Sequence, residues 1–152
     1  MFQRYKNFTV LITKISRSIK RIKAFEMEEI NLKTPHVSCI YYLFKEGGLT
    51  AKELCDICEE DKAQISRAID FLEDNGYVYC VENVKKRYKT QLFLTEKGME
   101  AGRFVAAKID NIMSNIDNTL TEEERSFMYS SLSKISNRLE EICQKGDNEN
   151  ED

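Results

Sequence analysis

Apolar residues recur along the chain with two different periods. Tyr5, Phe8, Ile12, Ile15, Ile19 and Ile22 follow one another at alternating steps of three and four, the spacing of a single apolar stripe on a long helix. Lys6, Lys14, Arg17, Lys20 and Arg21 lie off that stripe. So narrow a seam has to be buried, against either its own domain or a second subunit. Towards the other end Met128, Leu132, Ile135, Leu139 and Ile142 repeat the heptad spacing and predict a second long helix.

Between them the punctuation marks shorter elements. Thr34 before Pro35 is read as an N-cap with proline at the first helical position, and Gly47 and Gly48 end the helix that runs near 35–46. Thr50 with Glu53, and Asp61 with Gln64, are two starts at capping-box spacing, so two short helices meet at a tight turn over Cys58 to Asp61. The second carries Ile65, Ile69 and Leu72 inward and stops at Asn75 and Gly76. From Tyr77 to Glu82 and from Gln91 to Leu94 the pattern turns aromatic and β-branched, with a polar, mostly basic stretch between, which predicts a hairpin. Thr95 caps a further helix with Met99, Val105, Ile109, Ile112 and Ile116 on one face, and Thr121 with Glu124 is a third capping box. From Lys145 onward Gly, Asn, Asp and Glu dominate, which predicts a disordered tail.

Composition narrows the chemistry. The 152 residues, 41% hydrophobic and 32% charged, suit one globular domain of about 150 residues. One histidine (His36), one proline and no tryptophan exclude schemes that need two imidazoles, and no enzyme activity, metal or cofactor is expected. The longest apolar run, Cys39 to Phe44, is far short of the roughly 20 residues of a membrane span. Five cysteines without an export signal suggest reduced thiols and a cytoplasmic setting.

The net charge of −3 would argue against a polyanion partner if it were spread evenly. Residues 140–152 carry −5, which leaves +2 on the rest. Residues 1–25 hold seven Lys or Arg and no acid, and Lys85, Lys86, Arg87 and Lys89 fall within five residues.

A helix, a tight turn, a helix and a basic-tipped hairpin, in that order, make a winged helix-turn-helix, so the fold class is mainly α with a small β-hairpin wing. Leu49 to Val78 (LTAKELCDICEEDKAQISRAIDFLEDNGYV), followed by a wing and Leu92 to Gly102 (LFLTEKGMEAG), resembles the DNA-binding lobe of MarR-type transcriptional regulators. The resemblance implies one domain over 1–145, with a winged-helix lobe at 34–98, dimerisation helices at 1–31 and 99–145, and the acidic tail at 146–152. It further implies a homodimer on double-stranded DNA with a pseudo-palindromic operator, its affinity changed by a small-molecule effector or by oxidation. Two departures stand out. Lys86, Arg87 and Tyr88 fall where many members carry an acid and two bases, and Glu59 and Glu60 occupy the turn where a Gly or Asn and an aliphatic residue are usual.

On the recognition helix so assigned, Lys62, Ala63, Gln64, Ser66, Arg67 and Asp70 lie off the inward face. Arg67 and Gln64 have the geometry for bidentate pairing with guanine and adenine, while Lys62 and Ser66 suit phosphate oxygens. Lys85, Lys86, Arg87 and Lys89 would meet the flanking backbone; the plain alternative for both sets is a solvated surface. Cys55 and Cys58 form C-x-x-C, read as buried packing residues ahead of a redox pair or half a zinc site completed by His36 or Cys39. His36 itself is open between a phosphate contact and a surface residue. Phe25, Met27, Tyr41, Tyr42 and Phe44 are candidates for an effector cleft, with core packing favoured for each. Against the DNA-binding regulator stand a winged-helix protein-interaction module and, resting only on C-x-x-C, a thiol oxidoreductase.

Overall fold

A computed structural model describes residues 2–58, 60–81 and 90–149. In chain order the elements are α1 (Phe2–Glu26), a 3-10 turn (Glu28–Ile30), α2 (Thr34–Glu46), β1 (Leu49–Thr50), α3 (Ala51–Ile57), α4 (Lys62–Asp74), β2 (Val78–Cys80), β3 (Gln91–Leu94), α5 (Glu96–Asp117) and α6 (Glu122–Glu149). The fold is a winged helix-turn-helix, mainly α, with a small antiparallel sheet in the order β1-β3-β2. Its contacts form two compact units, one ending at Ile109 and the other beginning at Asp110. Among the described residues no helix is long and apolar enough to cross a membrane.

Four of the starts read from the sequence form as local hydrogen bonds, that of Asp61 among them. Thr50 Oγ1 accepts from the Glu53 amide at 3.2 Å while the Thr50 amide donates to Glu53 Oε2 at 2.7 Å. These bonds to Thr50 hold the Glu53 carboxyl below the usual carboxylate range. Thr95 Oγ1 accepts from the Gly98 amide, and Thr121 and Glu124 close their box at 3.2 and 2.8 Å. The start of α2 differs from expectation. Its N-cap is Lys33, Thr34 is already helical, and the Lys33 amide donates to His36 Nδ1 at 3.1 Å. The imidazole satisfies the amide of the N-cap residue itself, while the first-turn amide of Val37, which a Thr34 hydroxyl could have served, bonds to the Lys33 carbonyl at 3.1 Å.

The core of the first unit gathers Met27, Val37, Cys39, Ile40, Leu54, Ile65, Leu72 and Val105, all essentially inaccessible to water. Met27 therefore belongs to the core and not to a ligand cleft, while Phe25 is exposed. α2 runs through the middle and packs on α4, β3 and α1. The C-terminal end of α1 is tied to α5 by Lys108 and Glu26, 3.1 Å apart. The wing grows from this core. Leu92 on β3 is buried and registers with Cys80 on one side and Leu49 on the other, and the Cys80 thiol donates to Glu73 Oε1 of α4 at 2.8 Å. Gly76, at φ +72°, makes the left-handed exit that turns α4 into β2.

α5 turns Val105 and Ile109 inward as its apolar spacing suggests, but near its start glycines take the place of the large residues. Gly98, Gly102, Val105 and Ala106 are buried, whereas Met99 and Ile116 stay exposed. The glycines allow this close approach: a Cβ on Gly98 would run into the Tyr77 carbonyl oxygen, and one on Gly102 would lie 2.6 Å from Phe44 Cδ2. The Tyr77 oxygen already accepts the Thr95 amide at 3.0 Å and cannot easily retreat. Gly98→Ala is therefore expected to cost about 1–3 kcal/mol through overpacking and to lower Tm by several degrees. Gly146→Ala on α6, where an added Cβ meets nothing within 4 Å, serves as the control and should gain up to about 1 kcal/mol in helix propensity. Equal Tm values for the two variants would refute this account of α5.

α6 continues to Glu149 and so reaches into 146–149, which composition assigns to the disordered tail. Once a helix is nucleated each further residue adds one hydrogen bond, so Gly146 costs propensity without ending it.

Candidate nucleic-acid interface

The turn between α3 and α4 presents one helix end and one helix face together. α3 closes with the Cys58 amide bonded to the Leu54 carbonyl at 2.9 Å, and α4 opens with the Gln64 amide bonded to Asp61 Oδ1 at 2.8 Å. Only the Asp61 half of that box forms, and the Gln64 side chain is exposed. Within the turn Glu60 Oε2 is buried and has no hydrogen-bond partner among the described residues, while Glu59 lies outside them.

α4 divides cleanly into two surfaces. Ile65, Ala68, Ile69 and Leu72 are buried, and Lys62, Ala63, Gln64, Ser66, Arg67 and Asp70 are exposed. The 3.6-residue period further splits the exposed set between two grooves on opposite flanks of the helix. Lys62, Ser66 and Asp70 line a groove of about 640 Å³ shared with Lys52, Cys55 and Asp56 of α3. Gln64 and Arg67 line the other, about 310 Å³, with Lys33, Pro35, His36 and Phe71. The residues expected to read bases and those expected to grip phosphate thus lie on different sides of one helix. Lys33 and Lys52, which border these grooves, were not singled out in the sequence. They sit outside the α4 period that drew attention to the others, and no local signal marks them.

His36 is neither a surface residue nor freely available. It is 9% exposed, its ring stacks flat on Phe71 of α4 with centroids 4.1 Å apart and planes 8° from parallel, and its Nδ1 caps α2. Burial and the nearby Lys33 charge lower its pKa from 6.5, which favours the neutral ring.

Of the C-x-x-C pair, Cys58 is buried, but Cys55 is half-buried and lines the α3/α4 groove. The expectation that both are buried is thus corrected for Cys55: α3 has only seven residues, and its inward face is filled by Leu54. Cys39, on α2, is inaccessible and beside Cys58; the hydrogen bond between these thiols and then burial push the Cys39 thiol up. Burial and the neighbouring Cys58 also raise Cys55. Among the described residues no group of three or more His, Cys, Asp or Glu is placed to hold a metal ion.

Lys85, Lys86, Arg87 and Lys89 lie outside the described residues; β2 and β3 are the strands that this segment joins.

No family model matches the chain. Among curated proteins it is similar to the HTH-type transcriptional regulator BilQ of Clostridioides difficile, 26% identical over 130 residues, covering 86% of this chain and 85% of that protein. Among solved structures it is similar to NMB1585, a MarR family regulator from Neisseria meningitidis, with a TM-score of 0.82 at 17% identity over 94% of this chain and 98% of that one. It is also similar to a MarR family transcriptional regulator from Listeria monocytogenes complexed with a 26mer DNA, with a TM-score of 0.75 at 26% identity over 84% and 85% of the two chains.

Proposed function

The chain being a MarR-type winged helix-turn-helix protein, we propose that it is a DNA-binding transcription regulator that works as a homodimer on a pseudo-palindromic operator. The observation that carries the reading is the division of α4: an exposed, capped helix with Gln64 and Arg67 on one flank and Lys62 and Ser66 on the other. A helix lying in the major groove touches base edges with its first turns and phosphates on either side, and that division matches both needs. The Listeria monocytogenes relative held with DNA supports the same use of the fold.

In this reading Arg67 pairs with guanine and Gln64 with adenine, Ala63 allows close approach, and Lys62 and Ser66 bind phosphate together with Lys85, Lys86, Arg87 and Lys89. The dimer forms through α1 and the C-terminal helices, and a small-molecule effector or thiol oxidation modulates affinity. The raised Cys39 and Cys55 thiols favour the effector of these two, because protonated thiols are poor nucleophiles.

Selection of bound sequences from mixed genomic DNA, followed by affinity measurements on the winning site, tests the assignment. Arg67→Ala should cost about 1–3 kcal/mol on that site and flatten the preference, whereas Lys62→Ala should weaken all sequences alike. Equal losses on selected and random DNA with Arg67→Ala would overturn the base-reading role. Selection that enriches no sequence would favour a protein-interaction module instead.

A further inference from the structure

The only histidine of the chain stands where two functions of the fold meet. Through Nδ1 it completes the start of α2, at 3.1 Å from the Lys33 amide, and through its face it supports Phe71 on α4 at 4.1 Å. Gln64 and Arg67 line the groove that these two rings border.

We propose that His36 is a positioning residue for α4: the neutral imidazole, holding the Lys33 amide and stacked on Phe71, keeps the Gln64 and Arg67 flank in its DNA-binding position, so that affinity for DNA falls on acidification. The inference rests on the DNA-binding reading above and adds to it a pH control at the same groove.

The chemistry follows from the tautomer. With Nδ1 accepting, the ring proton sits on Nε2. A second proton can enter only at Nδ1, which turns the acceptor into a donor facing the Lys33 N–H and removes the α2 cap. Among the described residues the charged groups lining the groove around the ring are Lys33, from the segment before α2, and Arg67, from α4, and no carboxylate lines it. The new cation therefore meets two like charges at a site 9% exposed, with the face of Phe71 as a favourable contact. The direction of the His36 shift agrees that these costs exceed the gain. For the protein alone the sign follows the same way. A histidine with a lowered folded pKa contributes stability that is complete above about pH 6.5 and declines as the pH falls below it.

The test is the affinity for a selected operator between pH 8 and 5.5 at constant ionic strength, a window in which His36 is the one side chain whose ordinary pKa lies inside. For the unmodified protein affinity should be level at high pH and then fall, by up to about tenfold per pH unit for each His36, hence up to about a hundredfold per pH unit for a dimer that carries two. In His36→Asn the amide oxygen can accept the same Lys33 N–H without titrating while the Phe71 stack is lost, so affinity should be lower than that of the unmodified protein at pH 8, but less so than in His36→Ala, and remain level to pH 5.5. His36→Ala loses cap and stack together and should bind more weakly at every pH, again without a slope. Should His36→Ala fail to fold, the asparagine variant carries the comparison.

A level profile for the unmodified protein, or an unchanged slope in His36→Asn, would overturn the inference while leaving DNA binding intact. Tighter binding at low pH would also overturn it, because that is the sign of an imidazolium touching phosphate directly. Absence of sequence-selective binding at pH 8 would instead bring down the DNA-binding reading and this inference with it.

Discussion

Aspartate in place of both Ile15 and Ile135 is expected to abolish the dimer and leave unfolded or aggregated protein that binds no operator. The reason lies in what a single chain leaves uncovered. Along α1, Tyr5 is 70% and Ile15 55% exposed, and Phe8, Leu11, Ile12, Ile19 and Ile22 are exposed as well. On α6, Leu132, Ile135, Leu139 and Ile142 repeat the situation. Solitary apolar residues on a surface are ordinary, but two contiguous stripes exceed the few hundred Å² that soluble monomers usually tolerate. Heptad spacing is the pattern that a second helix fills with knobs in holes, and a two-fold dimer buries every such position twice. Fully burying one aliphatic side chain is worth about 1.5–3 kcal/mol, so two aspartates per chain remove four such gains and add four charges that need water. Sedimentation velocity at micromolar concentration checks the premise. A well-folded monomer from the unmodified sequence would refute it.

The second large effect is in salt dependence. Alanine at Lys85, Lys86 and Arg87 in both subunits removes up to six phosphate contacts, so the log-log dependence of affinity on salt should become shallower by up to about five units. The ranking of operator variants should hardly move, because phosphate contacts position the protein without reading sequence. Arg87 is the exception to watch. An arginine entering a narrow A-T minor groove reads shape, in which case Arg87→Ala alone would alter the ranking. Arg67→Ala provides the contrast, with altered ranking and a nearly unchanged slope. An unaltered slope in the triple variant would mean that the segment joining β2 and β3 does not touch DNA, and the mechanism would have to rest on α4 alone.

Each of these experiments starts from features with very different visibility in the chain. The Thr50, Thr95 and Thr121 starts and the Gly76 exit were readable because each is an event within three or four residues: a side chain meets a backbone amide of its own first turn, or a backbone angle suits glycine alone. The exposed set on α4 was readable for a related reason. Once Ile65, Ile69 and Leu72 define the inward face, the helical period places Lys62, Gln64, Ser66 and Arg67 elsewhere without reference to any other part of the molecule.

The sequence by itself therefore determined the order of the helices from α2 onward and of the two hairpin strands, the starts at Thr50, Asp61, Thr95 and Thr121, and which side of α4 meets solvent. Only the tertiary structure decided what each buried face meets. Periodicity names a face and not its partner, so the pairing of Leu49 with Leu92 in a two-residue strand left no pattern to find. The burial of Gly98 and Gly102 in place of Met99 follows from how closely Tyr77 and Phe44 approach α5, which no spacing within α5 encodes. Cys55 came out half-buried because the α3/α4 groove runs past it. His36 shows the limit best: the local signal beside Pro35 suggested a capped helix start, while its stacking partner lies on α4, brought alongside by the packing of α2 on α4. Contacts between distant elements depend on the shape of the whole core, and that shape exists only once the chain has folded.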